Sequence, residues 1–271
     1  EAVVAAVCAP GLTDELARRA WWAMEDAENA RRMLHREAVV QGRMGRVLAS
    51  YLAEHLPFES EPEKMIETVR LVLQPGLIDA AARDDLWRKA ARRNAYYVGF
   101  LAALPDSLPG QAPAHPLAAT LASALAPADG PAVALLARVL SPAGQLYLDT
   151  VRLVLDKPTN QDVVNSLLDV VAAYFGALRP EGAPDATIEA LEAEAARFAA
   201  ASPPAVAGLL AQEAGLRDLV ESMRVLSGVS YGVVRPVFGD STAIGSLMRR
   251  KLEPLFAPLR RHIDRLRGGR R

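Results

Sequence analysis

The sequence has a single cysteine, Cys8, among its 271 residues. It can therefore form no internal disulfide bond and no thiolate metal cluster. A lone cysteine is typical of proteins from a reducing compartment, so we expect a cytoplasmic location. No apolar run reaches the roughly 18 residues that a membrane-spanning helix needs, and we expect no membrane span.

Strand-forming residues are also scarce. Aromatic residues make up 6% of the chain, and alanine, leucine and arginine dominate the composition. This composition favours helix over strand. Only residues 233–238 contain a strand-like run, and Pro236 interrupts it. The sequence therefore predicts an all-α protein.

Recognisable cofactor motifs are missing as well. The chain has four histidines, which are scattered and form neither H-E-x-x-H nor paired Glu-x-x-His spacing: His35, His55, His115 and His262. It contains neither a Walker P-loop nor the G-x-G-x-x-G motif of dinucleotide-binding proteins. We therefore expect no metal ion and no cofactor.

The formal net charge is −1, so no overall field favours nucleic acid or membrane. Basic residues are nevertheless concentrated at 249–271, where nine Lys and Arg face only Glu253 and Asp264. We favour a basic C-terminal helix and tail that lies on the more acidic remainder, with a helix at about 243–256 and another opened by Pro258. Nucleic-acid binding through 249–271 is the less favoured alternative.

The strongest positive signal is an internal repeat. The segment 67–73, Glu-Thr-Val-Arg-Leu-Val-Leu, returns at 149–155 as Asp-Thr-Val-Arg-Leu-Val-Leu, and a looser copy begins at Glu221. We call these three segments the repeated motif; its copies begin 82 and 72 residues apart. Residues 28–32, Glu-Asn-Ala-Arg-Arg, form a degenerate version. Repetition at such distances is typical of architectures built from stacked supersecondary units.

Further segments repeat in the same order after the motif. A Tyr-x-Gly segment that runs to a proline occurs at 97–105 and 174–180, and a Pro-Ala-Val-Ala segment at 131–137 and 204–211. Two helical hairpins of roughly 40 residues would account for each unit. In hairpin length and repetition the chain resembles HEAT and armadillo solenoids. We predict one all-helical repeat domain over 1–271, with a possible sub-boundary at the proline-rich loop 105–116. A closed helical bundle made by duplication is the alternative.

Two groups of residues are candidates for binding. On a helix the acid and the arginine of each motif are three residues apart, so Arg70, Arg152 and Arg224 can pair with their own acids. Alternatively, these arginines line one concave surface that binds an anion or an acidic partner. Trp, Tyr and Arg dominate interface energetics, so a second candidate partner-binding patch is a basic, aromatic stretch: Trp87, Arg92, Arg93 and Tyr96. The alternative is that Trp87 and one tyrosine belong to the core and the basic residues cover its rim.

A candidate catalytic serine lies in Gly228-Val229-Ser230-Tyr231-Gly232, which matches the nucleophile-elbow pattern G-x-S-x-G. Asp240 and His262 follow it in the order of a serine–acid–histidine triad. That motif requires a strand before the serine and a helix after it, whereas the residues before Ser230 are predicted to be helical. We favour a glycine-rich break between helices and expect no catalytic residue.

The sequence supports one leading function and two alternatives. The leading hypothesis is a non-enzymatic adaptor or accessory factor that binds a client protein on a concave helical surface. The first alternative is an enzyme, or a binder of a small ligand or anion, with its site between helices. The second is a nucleic-acid binder that uses the basic C-terminus.

Overall fold

The structure is a computed structural model that describes residues 2–125, 130–182, 185–211, 215–238 and 245–268. Over these residues the chain is all-α, as predicted, and contains no strand. None of these helices is long and apolar enough to cross a membrane. The chain divides into two compact units, Glu1–Leu104 and Pro105–Arg271, and the division falls at the start of the proline-rich loop.

The first unit contains eight of the described helices. They are α1 Ala2–Cys8, α2 Asp14–Ala23, α3 Ala27–Leu34, α4 Glu37–Val40, α5 Arg43–His55, α6 Pro62–Val72, α7 Ala80–Ala90 and α8 Asn94–Ala103, with a 3-10 turn at Leu56–Phe58 between α5 and α6. The second unit contains nine more within the described ranges. They are α9 Ala118–Leu125, α10 Pro131–Leu140, α11 Pro142–Asp156, α12 Gln161–Tyr174, α13 Ile188–Ala201, α14 Pro204–Leu210, α15 Leu216–Ser227, α16 Tyr231–Phe238 and α17 Gly245–Leu266, with a 3-10 turn at Gly176–Leu178.

Local signals set the helix starts in the first unit. The Thr13 side chain accepts a hydrogen bond from the Leu16 amide and caps α2. Asp26 caps α3 by accepting from the amides of Glu28 and Asn29. The chain from 37 to 55 forms two helices, α4 and α5. Asp14 accepts hydrogen bonds from the first amides of α5, so a side chain from α2 supplies its cap.

The core of the first unit is densest where α8 crosses α6. Gly99 permits this approach, because a Cβ atom at that position would lie 2.6 Å from Val69 Cβ and 3.0 Å from Ile66 O. Trp87 of α7 packs edge-to-face on the rings of Tyr97 and Phe100, with centroids 4.9 and 5.0 Å apart. The motif residues of α6 therefore face a neighbouring helix of their own unit.

The core of the second unit is built around stacked rings. Tyr147 of α11 and Tyr174 of α12 stack with centroids 3.9 Å apart, and the Arg138 guanidinium lies 3.9 Å from the Tyr174 ring centre. Burial raises the pKa of both phenols, and it raises that of Tyr147 well above its ordinary value. The rings therefore act as neutral core residues.

In the C-terminal region the strand-like run is helical, in keeping with the all-α prediction, and one expectation is wrong. The strand-like run 233–238 lies within α16, so its neighbours along the chain outweigh the strand preference of its valines. The predicted break before Pro258 is absent, because α17 runs through both Pro254 and Pro258. Pro254 is exposed, so water can bind the carbonyl that its missing N–H leaves free, while Phe256 and Leu259 hold the opposite face in the core.

Candidate functional site

The three arginines of the repeated motif have different surroundings. Arg70 is exposed and forms no ion pair with any residue that the structure describes. Arg152 pairs with Asp156 and, at 3.3 Å, with Asp264. Arg224 is largely buried and forms a bidentate pair with Glu194 at 2.6 and 3.0 Å.

The pairing expected within each motif is replaced by contacts between helices. Glu67 lies 2.7 Å from His35 and 3.7 Å from Arg31, both on or next to α3. Asp149 lies 2.6 Å from Arg267, beyond α17. These acids pair with residues distant in sequence rather than with the arginine of their own motif, because a pair three residues apart on a helix contributes only a few tenths of a kcal/mol.

In the second predicted patch, two side chains are committed to the interior of the first unit. Tyr96 is buried, and its hydroxyl donates to Leu56 O at 3.2 Å. The Arg93 guanidinium donates to Pro57 O and Glu59 O at 2.9 and 2.8 Å. Arg92 is exposed, and Trp87 packs in the ring cluster described above. Within this patch, only Arg92 is fully available to a partner.

The candidate catalytic serine occupies a helix start. Ser230 follows α15 rather than a strand, and its Oγ accepts from the Gly232 amide at 3.2 Å as α16 begins. The strand that a nucleophile elbow requires is therefore a helix at this position. Asp240 lies outside the described residues. The side chain of His262 lies beside a different serine.

That serine is Ser222, the hydroxyl residue of the third motif copy. His262 Nδ1 lies 3.1 Å from Ser222 Oγ, and His262 Nε2 lies 3.1 Å from Glu192 Oε1. The same three residue types make up a serine–histidine–acid triad, but there Nε2 faces the serine and Nδ1 the acid, which is the reverse of the arrangement here. Ser222 is also 0% exposed, so a substrate cannot reach its hydroxyl. Burial lowers the pKa of His262 despite the opposing effect of Glu192. We interpret the cluster as a buried polar link between α13, α15 and α17.

A cavity in the first unit brings together several polar side chains, two of which have buried atoms without a hydrogen-bond partner among the described residues. It has a volume of about 200 Å³ and lies between α3, α5, α6 and the 3-10 turn at Leu56–Phe58. Its apolar lining is Ala27, Leu52, Leu56 and Phe58, and its polar lining is Arg31, His55, Glu59 and Thr68. We call it the Arg31 cavity. Phe58 at its edge is 85% exposed.

Arg31 is the buried charge at this cavity, and only 4% of the residue is exposed. Its Nη2 donates to Glu28 at 2.8 Å, while its Nη1 and Nε lie 3.6 Å from Glu59 and 3.7 Å from Glu67. The two longer distances exceed a hydrogen bond and leave room for a bridging atom. Arg32 pairs with Glu28 at 3.1 Å, and the Lys64 charge acts on Glu28 and Glu59 as well.

The carboxylates of Glu28 and Glu59 in this cluster are both ionised near neutral pH. Hydrogen bonding to Arg31 is the largest effect that lowers the pKa of Glu28. Burial acts to raise the pKa of Glu59, but the amides of Glu61 and Ser60 together with the Arg31 charge outweigh it and lower that pKa. Those two amides donate to Glu59 Oε1 at 3.0 and 2.8 Å, which leaves Oε2 available.

Three atoms at the cavity have unfilled hydrogen-bonding capacity. Thr68 Oγ1 and Arg31 Nε are buried and have no hydrogen-bond partner among the described residues. His55 stacks on Tyr51 with centroids 3.9 Å apart, and its Nδ1 lies 2.8 Å from Tyr51 O. A carbonyl oxygen only accepts, so Nδ1 carries the proton and Nε2 is an acceptor in the neutral ring.

A second, larger groove in the first unit differs in this respect. It has a volume of about 490 Å³ and lies between α5 and α7. Its polar side chains are engaged by the protein itself. Arg46 donates to Gly76 O at 3.0 Å, Asp79 caps α7, and Asp85 pairs with Lys89 at 2.8 Å. The Arg31 cavity is therefore the better candidate for a binding site.

Sequence reasoning did not assign this site, although two of its residues belong to the repeat. Arg31 is the arginine of the degenerate copy at 28–32, and Thr68 is the hydroxyl residue of the first full copy. Among the described residues no group of three His, Cys, Asp or Glu could hold a metal ion. No protein-family model, curated protein or solved structure matches this chain.

Proposed function

We propose that this chain is a non-catalytic binding protein and that the Arg31 cavity of its first unit is a ligand site. The observation that supports this proposal is the pair of unpartnered buried atoms, Thr68 Oγ1 and Arg31 Nε, beside that cavity. A buried polar group without a hydrogen bond costs about 1–3 kcal/mol. A ligand that donates to Thr68 Oγ1 recovers part of this free energy on binding.

The composition of the lining supports a small organic ligand. The lining combines the polar side chains with Leu52, Leu56 and Phe58, which provide apolar contact. Ligand sites are typically apolar cavities in which a few placed polar groups fix the orientation. The volume suits one small molecule or one side chain of a larger partner.

The experiment is an NMR titration of the ¹⁵N-labelled protein with small polar compounds of positive, neutral and negative charge. We expect at least one compound to shift the amide signals of His55, Phe58, Glu59 and Thr68. Ala27→Leu fills the cavity from the first turn of α3 and should abolish those shifts. Ala53→Leu, in the larger groove of the same unit, is the matched control and should preserve them. If no compound of any charge shifts these amides in the wild type, the proposal is wrong.

A second candidate function is the binding of a protein client, and two exposed rings favour it. Trp22 is 86% exposed and Phe58 is 85% exposed, both in the first unit. Large aromatic side chains frequently dominate the energetics of protein interfaces. Trp22→Ser should weaken capture of a client from native lysate, whereas Met24→Ser, a smaller exposed side chain nearby in sequence, should have less effect. Equal capture by both variants and the wild type would exclude Trp22 as a contact.

For the arrangement of helices we propose a different answer for each unit. In the first unit α3 packs on α5, α5 on α6 and α6 on α8, an order that suits stacked hairpins of HEAT type. In the second unit α11 packs against α17 although they are distant in sequence, which favours the closed bundle. The cytoplasmic location stays a prediction that rests on the single cysteine.

A further inference from the structure

The charge around the Arg31 cavity discriminates among ligands, and this inference rests on the proposed ligand site. Glu28, Glu59 and Glu67 all lie within 4 Å of the Arg31 guanidinium, so its positive charge is already compensated. An anion placed there would find no uncompensated positive charge in a partly buried site. A charge in such a site is tolerated only when it is paired. The surroundings of Arg31 therefore disfavour an anionic ligand.

The free acceptor atoms indicate a ligand that donates hydrogen bonds. Glu59 uses Oε1 for two backbone amides, so Oε2 is the carboxylate oxygen that can accept from a ligand. His55 has Nε2 left to accept, and Thr68 Oγ1 can accept as well. Three acceptors, one of them charged, suit the three N–H groups of a primary ammonium.

The apolar lining fits the rest of such a ligand. Leu52, Leu56 and Ala27 can contact a short alkyl stem, and the exposed Phe58 ring offers a face to a cation. Arg31 itself does not oppose a cation strongly, because three carboxylates already lie within 4 Å of its guanidinium. The cavity of about 200 Å³ limits the stem to a few carbon atoms.

We infer that the Arg31 cavity binds the primary ammonium group of a compact alkylamine, which contacts Glu59, His55 and Thr68. Two sources share this chemistry: a free amine, and the lysine side chain of a peptide.

The test compares three probes that carry the same butyl stem: butylammonium, 1-butanol and pentanoate. The dissociation constant of each is measured by NMR titration at pH 7. We expect butylammonium to bind at least about tenfold more tightly than 1-butanol, a difference of about 1.4 kcal/mol, and pentanoate to bind most weakly. Glu59→Gln keeps the acceptor for the two backbone amides but removes the charge, so it should reduce the ratio between butylammonium and 1-butanol to near one.

Glu63→Gln is the control, because Glu63 is an exposed acid of α6 that does not line the cavity. It should leave the ratio unchanged. Equal binding of all three probes at the cavity would overturn the ammonium assignment and leave the ligand site standing. Absence of any shift at the cavity would overturn both proposals.

A fourth probe, Nα-acetyl-lysine methylamide, separates the two sources. If it binds more tightly than butylammonium, contacts beyond the ammonium point to a peptide lysine. If it binds more weakly while butylammonium binds well, the cavity takes a free amine. Both results support the ammonium assignment, whereas weaker binding of both amines than of 1-butanol contradicts it.

Discussion

The side chain of His262 on α17 lies 3.1 Å from Ser222 Oγ on α15, and both residues are buried. Because burial lowers the pKa of His262 in the folded chain, its imidazole is neutral there at pH 7. In the unfolded chain the pKa of histidine returns to about 6.5. The unfolded state therefore binds more protons when the pH falls below that value.

Stability of the second unit should accordingly be complete above pH 6.5 and decline as the pH falls from 6.5 through the lower pKa of folded His262. The measurement is the opening free energy of the slowest-exchanging amides of α15 and α17 at pH 7.5 and pH 5.5. His262→Gln should flatten this dependence, and His35→Gln in the first unit should not. A wild type whose second unit gains stability on acidification would contradict the assignment.

The repeated arginines provide a matched pair. Arg224→Met should destabilise the second unit by about 3 kcal/mol, because it leaves Glu194 unpaired and removes one of the two donors to Leu178 O. Arg70→Met occupies the same motif position, but Arg70 is exposed, so its effect should stay within about 0.5 kcal/mol. Native-state hydrogen exchange in each unit measures both changes. Similar costs at the two sites would mean that their surroundings are equivalent after all.

The two glycines of the Tyr-x-Gly segments form a second pair. Gly99→Ala should cost about 1–3 kcal/mol, because the new methyl group would overlap Val69 and force α8 away from α6. At Gly176 no atom lies within 4 Å of an added Cβ, so Gly176→Ala should change stability by less than about 0.5 kcal/mol. Urea unfolding followed by tryptophan fluorescence reports on Gly99→Ala, because all three tryptophans lie in the first unit. An unchanged midpoint for Gly99→Ala would contradict the close packing.

The motif hydroxyls test whether the Arg31 cavity leaves Thr68 unpartnered. Thr150 Oγ1 donates to Leu146 O at 2.8 Å, so Thr150→Val should cost about 1 kcal/mol. Thr68→Val removes no hydrogen bond to a described residue and should be neutral or slightly stabilising. Valine and threonine are both β-branched, so the helix preference barely differs. Hydrogen exchange in α6 and α11 measures both changes in stability. A larger loss of stability for Thr68→Val than for Thr150→Val would show that the Thr68 hydroxyl already has a strong partner.

The all-α class could be predicted because it rests on composition, which favours helix along most of the chain. The ion pairs could not, because within-motif pairing is weak and tertiary partners such as Glu194 of Arg224 lie far away in sequence. The partners of His262 are likewise 40 and 70 residues distant. A helix can also continue through Pro254 and Pro258 once its other face is buried, which composition alone does not reveal.

The Arg31 cavity could not be predicted from the sequence for the same reason. The degenerate motif at 28–32 was visible in the sequence, but nothing in one helix indicates that α3, α5 and α6 leave a space beside it. A buried arginine and an unpartnered threonine become meaningful only when their distance from other polar groups is known.

The measurement that tests the ligand site most directly is a crystal structure of the protein soaked with butylammonium. We expect density for the amine inside the Arg31 cavity, with its nitrogen within hydrogen-bond distance of Glu59 and Thr68. A cavity that is closed by Phe58, or that holds only water at saturating butylammonium, would contradict the proposed site.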